Sequence, residues 1–324
     1  MSAAASVAIS VATLTLNPAI DQSVAVPGFA AGSVNRVLWE QSDPGGKGVN
    51  VASFLVDLGS RSALSVAATG LLGRDNAGEF EHLFKSKGIC DEFVRIPGKT
   101  RVNVKILDET HHNITDLNFP GPAVTPADLV KLERRIDALL TDHDCFVLSG
   151  SAPAGVAVDY YAGLIRRLKA AGKRVLLDSS GELLRFGVQA APWAIKPNLA
   201  ELEELVGTPL PDQHAVVAAA RTLLAQGIGC VVVSQGRDGA LFVTEQTCLL
   251  AMPPDVAVKS TVGAGDALVA GFVAATLRGL PLADCARLAT ACALGALTQL
   301  GPRLPAAGII ESFMEHVVVH NLTG

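Results

Sequence analysis

Hydrophobic positions along this chain follow two alternating rhythms. Short runs rich in Val, Leu and Ala occur at Ser6–Leu16, Ala63–Ala68, Cys145–Leu148, Val175–Asp178, Ala194–Lys196 and Cys230–Ser234. Between them, apolar residues recur at helical spacing over Val49–Leu58, Ala77–Lys87, Pro126–Leu140, Asp159–Ala171, Leu199–Leu205 and Gln213–Gln226. The first set has the length of strands and the second that of helices, several closed by Gly59, Gly88, Gly172 or Gly227. Such alternation predicts an α/β fold with a mainly parallel sheet and helices on both faces. In that architecture ligands gather at the C-terminal ends of the strands.

Two segments break the rhythm. Gln22–Ser42 and Asp91–Asn118 alternate at period two, as at Val24/Val26 and Val102/Val104/Ile106. We read them as a four- or five-stranded flap over the strand ends, a β lid built from about 20–43 and 91–119. Edge hairpins that merely widen the main sheet are the plainer alternative. With no repeat, low-complexity tract or long linker, residues 1–324 are expected to form one α/β domain carrying this lid. Val24, Val26, Val37, Leu38 and Trp39 on the lid suggest packing against a second copy, hence a homodimer.

Composition narrows the picture. The chain is 49% hydrophobic and only 5% aromatic, which suits small-residue helices packed on a sheet covered on both faces. A net charge of −5 shows no basic field, so nucleic acid is not an expected partner. The first 20 residues lack charge, but they also lack a basic leader and alternate like a strand. Leu288–Pro302 is too short and polar to span a bilayer, so no membrane role is expected. Six scattered cysteines without a C-x-x-C pair read as reduced thiols of a cytoplasmic protein. The seven histidines show no zinc spacing, and His111 and His112 read as solvated turn residues.

The candidate chemistry lies in two glycine-rich loops. Ser260-Thr261-Val262-Gly263-Ala264-Gly265-Asp266 runs straight into an apolar helical stretch, Ala267–Leu277. Glycines let backbone N–H groups approach a ligand, and a helix start adds unpaired donors and partial positive charge, an anion site suited to phosphate. Asp266 there is either an ordinary N-cap or a base that takes a proton from a hydroxyl beside the phosphate. As a base at a helix start it is expected to stay ionised near neutral pH. Pro44-Gly45-Gly46-Lys47-Gly48-Val49-Asn50 repeats the loop-to-helix design. Neither loop is a Walker A motif, and Leu268 replaces the third glycine of a dinucleotide fingerprint. Two such loops suggest two ligands facing each other.

Weaker signals complete the set. Arg101, Asn103 and Lys105 alternate on one predicted strand and share a face, fit for a phosphate and a hydroxyl or simply solvated. Asn198 and Glu201 sit one helical turn apart after Lys196-Pro197, spaced for the water shell of a phosphate-bound Mg²⁺ or for a helix cap. Ser149-Gly150 and Ser234-Gln235-Gly236 end apolar strands with small polar turns.

Together these residues resemble the ribokinase-like carbohydrate kinases known as the PfkB family. Gly45–Asn50 is similar to the first signature of that family and Thr261–Asp266 to its second. Thr15–Asp21, Thr100–Lys105, Ser149–Ser151, Ala191–Asn198 and Val258–Thr261 resemble its phosphosugar branch, so the likeness spans about residues 7 to 300. Ser260 stands where many members have Asp, Ala152 where the branch has Leu, and Gly301–Gly324 matches poorly.

The resemblance implies a ribokinase-like fold and an ATP- and Mg²⁺-dependent sugar-phosphate kinase. D-fructose 1-phosphate, converted to fructose 1,6-bisphosphate, is the expected substrate. Tagatose 6-phosphate and fructose 6-phosphate are the alternatives, and a non-catalytic sugar or nucleotide sensor is the remote one. It implies Asp266 as base, with Gly263, Ala264 and Gly265 as the anion hole. Asp21, Gly45, Gly46, Lys47, Asn50, Asn103 and Ser149 are the implied sugar contacts, and Arg101 and Lys105 the clamp on the existing phosphate. Lys196, Asn198, Ser234, Gly236, Thr261, Gly263 and Gly265 fall on the nucleotide side, with Asn198 and Glu201 reaching Mg²⁺ through water.

Overall fold

In chain order the elements are strands β1 (Ile9–Thr15), β2 (Ala19–Ala25) and β3 (Trp39–Gly45), helix α1 (Lys47–Gly59), β4 (Leu64–Gly73), α2 (Gly78–Lys87) and β5 (Cys90–Ile96). There follow β6 (Arg101–Asp108), β7 (Asn113–Leu117), α3 (Pro126–Leu139), β8 (Cys145–Ser149), α4 (Tyr160–Ala170), β9 (Arg174–Asp178) and α5 (Gly181–Val188). Next come β10 (Ala194–Ile195), α6 (Leu199–Val206), α7 (Gln213–Leu224), β11 (Cys230–Ser234), β12 (Ala240–Val243) and β13 (Cys248–Met252). The chain closes with α8 (Ala264–Leu277), α9 (Leu282–Leu297), α10 (Ala307–His316) and β14 (Val318–Asn321). The structure, a computed structural model, describes residues 9–59, 64–111 and 113–322. The Ser6–Ala8 part of the first predicted strand, Ala63 of the second, and His112 lie outside them.

A ten-stranded sheet in the order β14-β13-β12-β11-β10-β9-β8-β1-β4-β5 forms the centre. The seven strands from β11 to β5 in that order run parallel, while β12, β13 and β14 pair antiparallel. Side chains leave a strand on alternate faces, and the core divides accordingly. Val11, Cys145, Val147, Leu176 and Val232 face one cluster with α1, α2, α8, α9 and α10. Ala12, Phe146, Leu148, Leu177 and Val233 face the other, with α3 to α7. Burial on both faces is why these strands read as continuous apolar runs. The antiparallel strands β12–β14, four or five residues each, were not among the strands expected from the sequence.

A second sheet, β3-β2-β6-β7, is the lid. It has four strands, and β2 runs parallel to β6 although 82 residues separate their registered positions. The second predicted lid segment therefore divides. Its first part, β5, joins the main sheet beside β4, because Phe93 finds cover in one core cluster and Val94 and Ile96 in the other. A further correction concerns the lid's apolar residues. Val24 and Val26 are buried with Ile106 in a small core of the lid's own, so they cannot meet a second copy. Val37, Leu38 and Trp39 remain exposed, as do Ile114 and Leu117.

Candidate active site

The parallel strands end level with one another. Thr15 of β1 registers with Gly70 and Ser149, and Ser149 with Asp178. Ile195 registers with Leu177, so Lys196 emerges beside Asp178, and a bridge sets Asn198 beside Ser234. Helices α1 and α8 bring the two glycine loops to this row of strand ends.

Asp266 is not the cap of α8. That position falls to Gly263, which holds φ +80°, a left-handed turn that any side chain would strain. Asp266 lies in the first turn instead, 6% exposed, and accepts a hydrogen bond from Asn50 Nδ2 at 2.8 Å. The Ala264 N–H makes only a 3.5 Å bond to Thr261, and the helix start leaves further donors unpaired. Built as an alanine, Gly265 would set its Cβ 3.8 Å from Lys196 Nζ, so the ammonium stands over the hole.

Asp178 is the residue that sequence reasoning missed. Fully buried at the end of β9, its Oδ1 accepts from Lys47 Nζ at 3.0 Å and from Lys196 Nζ at 3.2 Å. Its Oδ2 is buried without a hydrogen-bond partner. A carboxylate closing the apolar run Val175–Leu177 was the available signal, since ligands collect at such strand ends.

Four charges thus share a small volume, and their protonation follows from it. Burial opposes ionisation of Asp178, but Lys196 and Lys47 outweigh it and hold the carboxyl below its usual range. Burial likewise opposes the charge on Lys47, and Asp178 and Asp266 overcome it, so the ammonium binds its proton more tightly than usual. For Asp266, burial comes first and the Asp178 charge second, and together they push it up to about 6. The helix start does not keep this carboxyl in the ordinary range, because desolvation is the larger effect.

On the sugar side, Asp21 on β2 accepts from Asn103 Nδ2 at 3.1 Å, and burial raises its pKa. A methyl group on Gly45 would sit 2.7 Å from Asp21 Oδ2. Register confirms that Arg101, Asn103 and Lys105 share a face, opposite Ala19, Asp21 and Ser23. Arg101 donates to the carbonyls of Asn17, Pro18 and Phe119, which leaves two of its five N–H groups. Lys105 forms an ion pair with Asp116 on β7. Gly46 forms the turn into α1, while Lys47 points its ammonium at Asp178 rather than toward the lid. Ser149 is fully buried at the end of β8, with an unpartnered hydroxyl.

Beyond the anion hole opens a cavity of about 480 Å³. Of the residues expected on the nucleotide side, Asn198, Ser234, Gly236, Thr261 and Gly265 line it together with Ala264, while Lys196 and Gly263 do not. Its apolar lining, Pro253, Pro254 and Val256 with Leu268, Ala293, Leu294 and Leu297, was not foreseen, because β13 and α9 carry no polar signature. Asn198 and Glu201 form a reciprocal capping box on α6: each side chain accepts the other's backbone N–H at 2.8 Å.

An anion hole with a buried carboxylate and fixed ammonium groups beside it, opening on a large cavity, is the arrangement of a phosphotransferase with an alcohol acceptor. The profile of the pfkB family carbohydrate kinases matches residues 11–307, and the chain belongs to that family. It is a carbohydrate kinase that takes its phosphoryl group from ATP. The chain is 47% identical to the 1-phosphofructokinase of Rhodobacter capsulatus over 96% of its length and 98% of the relative. It is 42% identical to that of Escherichia coli K12, covering 89% and 91%. Among solved structures, Escherichia coli phosphofructokinase-2 with substrates and products superposes with a TM-score of 0.89 at 28% identity, covering 95% and 99%. A possible 1-phosphofructokinase of Thermotoga maritima gives 0.86 at 31%, covering 97% and 99%.

Proposed function

We propose that the protein transfers the γ-phosphoryl group of ATP to the free primary hydroxyl of D-fructose 1-phosphate, yielding fructose 1,6-bisphosphate. The observation that carries the reading is the Asn50–Asp266 bond, which sets a buried carboxylate between the sugar loop and the anion hole. Relatives at 42–47% identity bear the name 1-phosphofructokinase, which favours this isomer over fructose 6-phosphate and tagatose 6-phosphate.

In this reading the sugar lies under the lid, its hydroxyls on Asp21, Asn103 and Asn50. Its existing phosphate takes the two remaining Arg101 N–H groups and draws Lys105 from Asp116. Asn50 occupies Asp266 Oδ2, leaving Oδ1 for the acceptor hydroxyl, whose proton passes to it as the new O–P bond forms. The transferred group has a loose transition state, so positioning and charge carry most of the rate. Lys196 and the N–H groups of Ala264 and Gly265 supply that charge, with Asp178 fixing both lysines.

Mg²⁺ fits as an outer-sphere guest. Among the described residues no cluster of three or more metal-binding side chains occurs, and the capping box uses only Glu201 Oε2. Glu201 Oε1 and the unpartnered Asp178 Oδ2 are hard oxygens of the kind that hold Mg²⁺ through its water. When bound, Mg²⁺ neutralises charge on the ATP phosphates.

The exposed lid residues Val37, Leu38, Trp39, Ile114 and Leu117 support a homodimer through the lid. All six cysteines are free and five are buried, which suits the cytoplasm. Among the described residues no helix is long and apolar enough to cross a membrane. Turnover with each of the three sugar phosphates tests the substrate: the highest kcat/KM should belong to fructose 1-phosphate. Equal rates on unphosphorylated fructose would overturn the phosphosugar assignment.

A further inference from the structure

Arg303 stands in the turn after α9, within the segment that resembles the family poorly. Its guanidinium forms a two-pronged ion pair with Asp43 of lid strand β3. Asp43 is only 7% exposed and also accepts from Gln41 Nε2 at 2.7 Å. A buried carboxylate needs such partners, because an unpaired charge there is costly. Asp43 also registers with Asp21 across the lid ladder, and its charge adds to the rise in the pKa of Asp21. Arg303 therefore offsets a negative charge beside the sugar site.

The same turn presses on the anion hole. Arg303 donates from its backbone to Gly301 at 2.9 Å and from Nη1 to Leu300 at 2.8 Å, which fixes the turn. A methyl group on Gly301 would lie 2.4 Å from Asp43 Oδ2, so lid and turn are in direct contact. Pro302 lies 3.2 Å from where Gly263 would carry a Cβ, and Gly263 is the cap residue of α8. Lid residues Trp39, Gln41 and Lys105 meet Lys259–Val262 around a gap of about 20 Å³, too small for a ligand. Thr261 borders both this seam and the nucleotide cavity.

We propose that Arg303 is a positioning residue whose ion pair with Asp43 couples sugar-phosphate binding under the lid to nucleotide binding at the anion hole. The inference rests on the function proposed above. Binding that seats the lid pulls Asp43 against Arg303, which holds the 300–303 turn on Gly263 and so sets the N–H groups that meet the phosphoryl group. By linkage, the nucleotide tightens the sugar site by the same factor.

Calorimetry with a non-hydrolysable ATP analogue and Mg²⁺, with and without saturating fructose 1-phosphate, measures that factor. We expect the wild-type factor to fall within about 5- to 150-fold. In Arg303→Gln and Asp43→Asn it should drop to about 1, with affinity for the analogue alone unchanged, and Arg303→Lys should recover part of it. Arg303→Gln and Asp43→Asn that keep the wild-type factor overturn the proposal. So does a loss of analogue affinity that accompanies the loss of coupling, since that marks mere structural support. Wild-type protein that turns over fructose 1-phosphate without any coupling refutes the inference alone. Wild-type protein that neither binds nor phosphorylates it refutes the proposed function as well.

Discussion

Asn50 on α1 donates to Asp266 on α8 at 2.8 Å, a bond between residues 216 positions apart. It joins the two glycine loops, and both partners are nearly inaccessible to water. The amide is one of the few influences that favour the ionised carboxyl, against burial and the nearby Asp178 charge.

Asp266→Asn tests the base directly. Loss of general-base help should lower kcat by at least ~10², with KM for both substrates little changed. In wild type the carboxyl must be ionised to work, so kcat should rise with pH to a plateau above about 6. The sign for stability is opposite: with a folded pKa raised to about 6, stability falls as pH rises from about 4 through 6. Asn at this position should therefore raise Tm at pH 8 even as turnover collapses. Undiminished turnover in the variant would remove Asp266 from its role.

Asp178 holds two ammonium groups, one of them, on Lys196, almost fully buried. Asp178→Ala leaves both unpaired and should cost about 3–5 kcal/mol in urea unfolding. Because the folded pKa is lowered, this stabilisation is present above the ordinary carboxylate range and lost as pH falls through the lowered value. The difference between wild type and variant should therefore shrink on acidification. Asp178→Asn keeps the shape and should fold, but with lower kcat because the lysines lose their anchor. Equal stability of wild type and Asp178→Ala at neutral pH would contradict this assignment.

What the sequence shows of this site depends on how local each signal is. The loops at Gly45–Asn50 and Gly263–Asp266 are contiguous, so their backbone chemistry can be read directly. The parallel strands are legible because burial on both faces writes an unbroken apolar run. The Asn50–Asp266 bond, the Lys47–Asp178 pair and the Asp43–Arg303 pair each span more than 130 residues. Only the order of strands in the sheet brings them together. Cys90–Ile96 was misplaced because its alternation suits either sheet, and only cover for Phe93 and Val94 on opposite faces decides between them. Asn198 and Glu201 show the reverse case: a local pattern supports a cap and a metal contact equally, and the cap is what the bonds display.

Two glycines of the anion hole should respond differently to alanine. Gly263 needs its left-handed turn, and a methyl group there would lie 3.2 Å from Pro302 and 3.3 Å from Phe54. Gly263→Ala should lose about 1–2 kcal/mol from backbone strain alone. Gly265 has ordinary helical space, and a methyl group would stop 3.8 Å from Lys196 Nζ. Gly265→Ala should fold with an unchanged Tm yet bind ATP more weakly, since the methyl group fills the anion's place. Matching losses of stability in both variants would refute the distinction.

Lys105 and Asp116 face each other across β6 and β7, and the sugar's phosphate must compete for that lysine. Lys105→Met should raise KM for fructose 1-phosphate roughly tenfold with kcat nearly unchanged, the mark of binding equal in ground and transition states. Asp116→Asn should lower KM by freeing the ammonium. Steady-state kinetics on the two variants read opposite directions, and a rise in KM for both would show that the ion pair only stabilises the lid.

The lid's apolar residues divide into those already covered and those left exposed, and the two groups should behave differently. Val24 is buried with Val26 and Ile106, so Val24→Ala should lower Tm without altering assembly. Leu38 is 71% exposed, and nothing within the lid requires its bulk. A charge at such a position disfavours an apolar interface far more than it disturbs an isolated lid. Sedimentation equilibrium should therefore find wild type and Val24→Ala dimeric and Leu38→Glu shifted to monomer at the same concentration. Leu38→Glu that sediments like wild type would place the interface elsewhere.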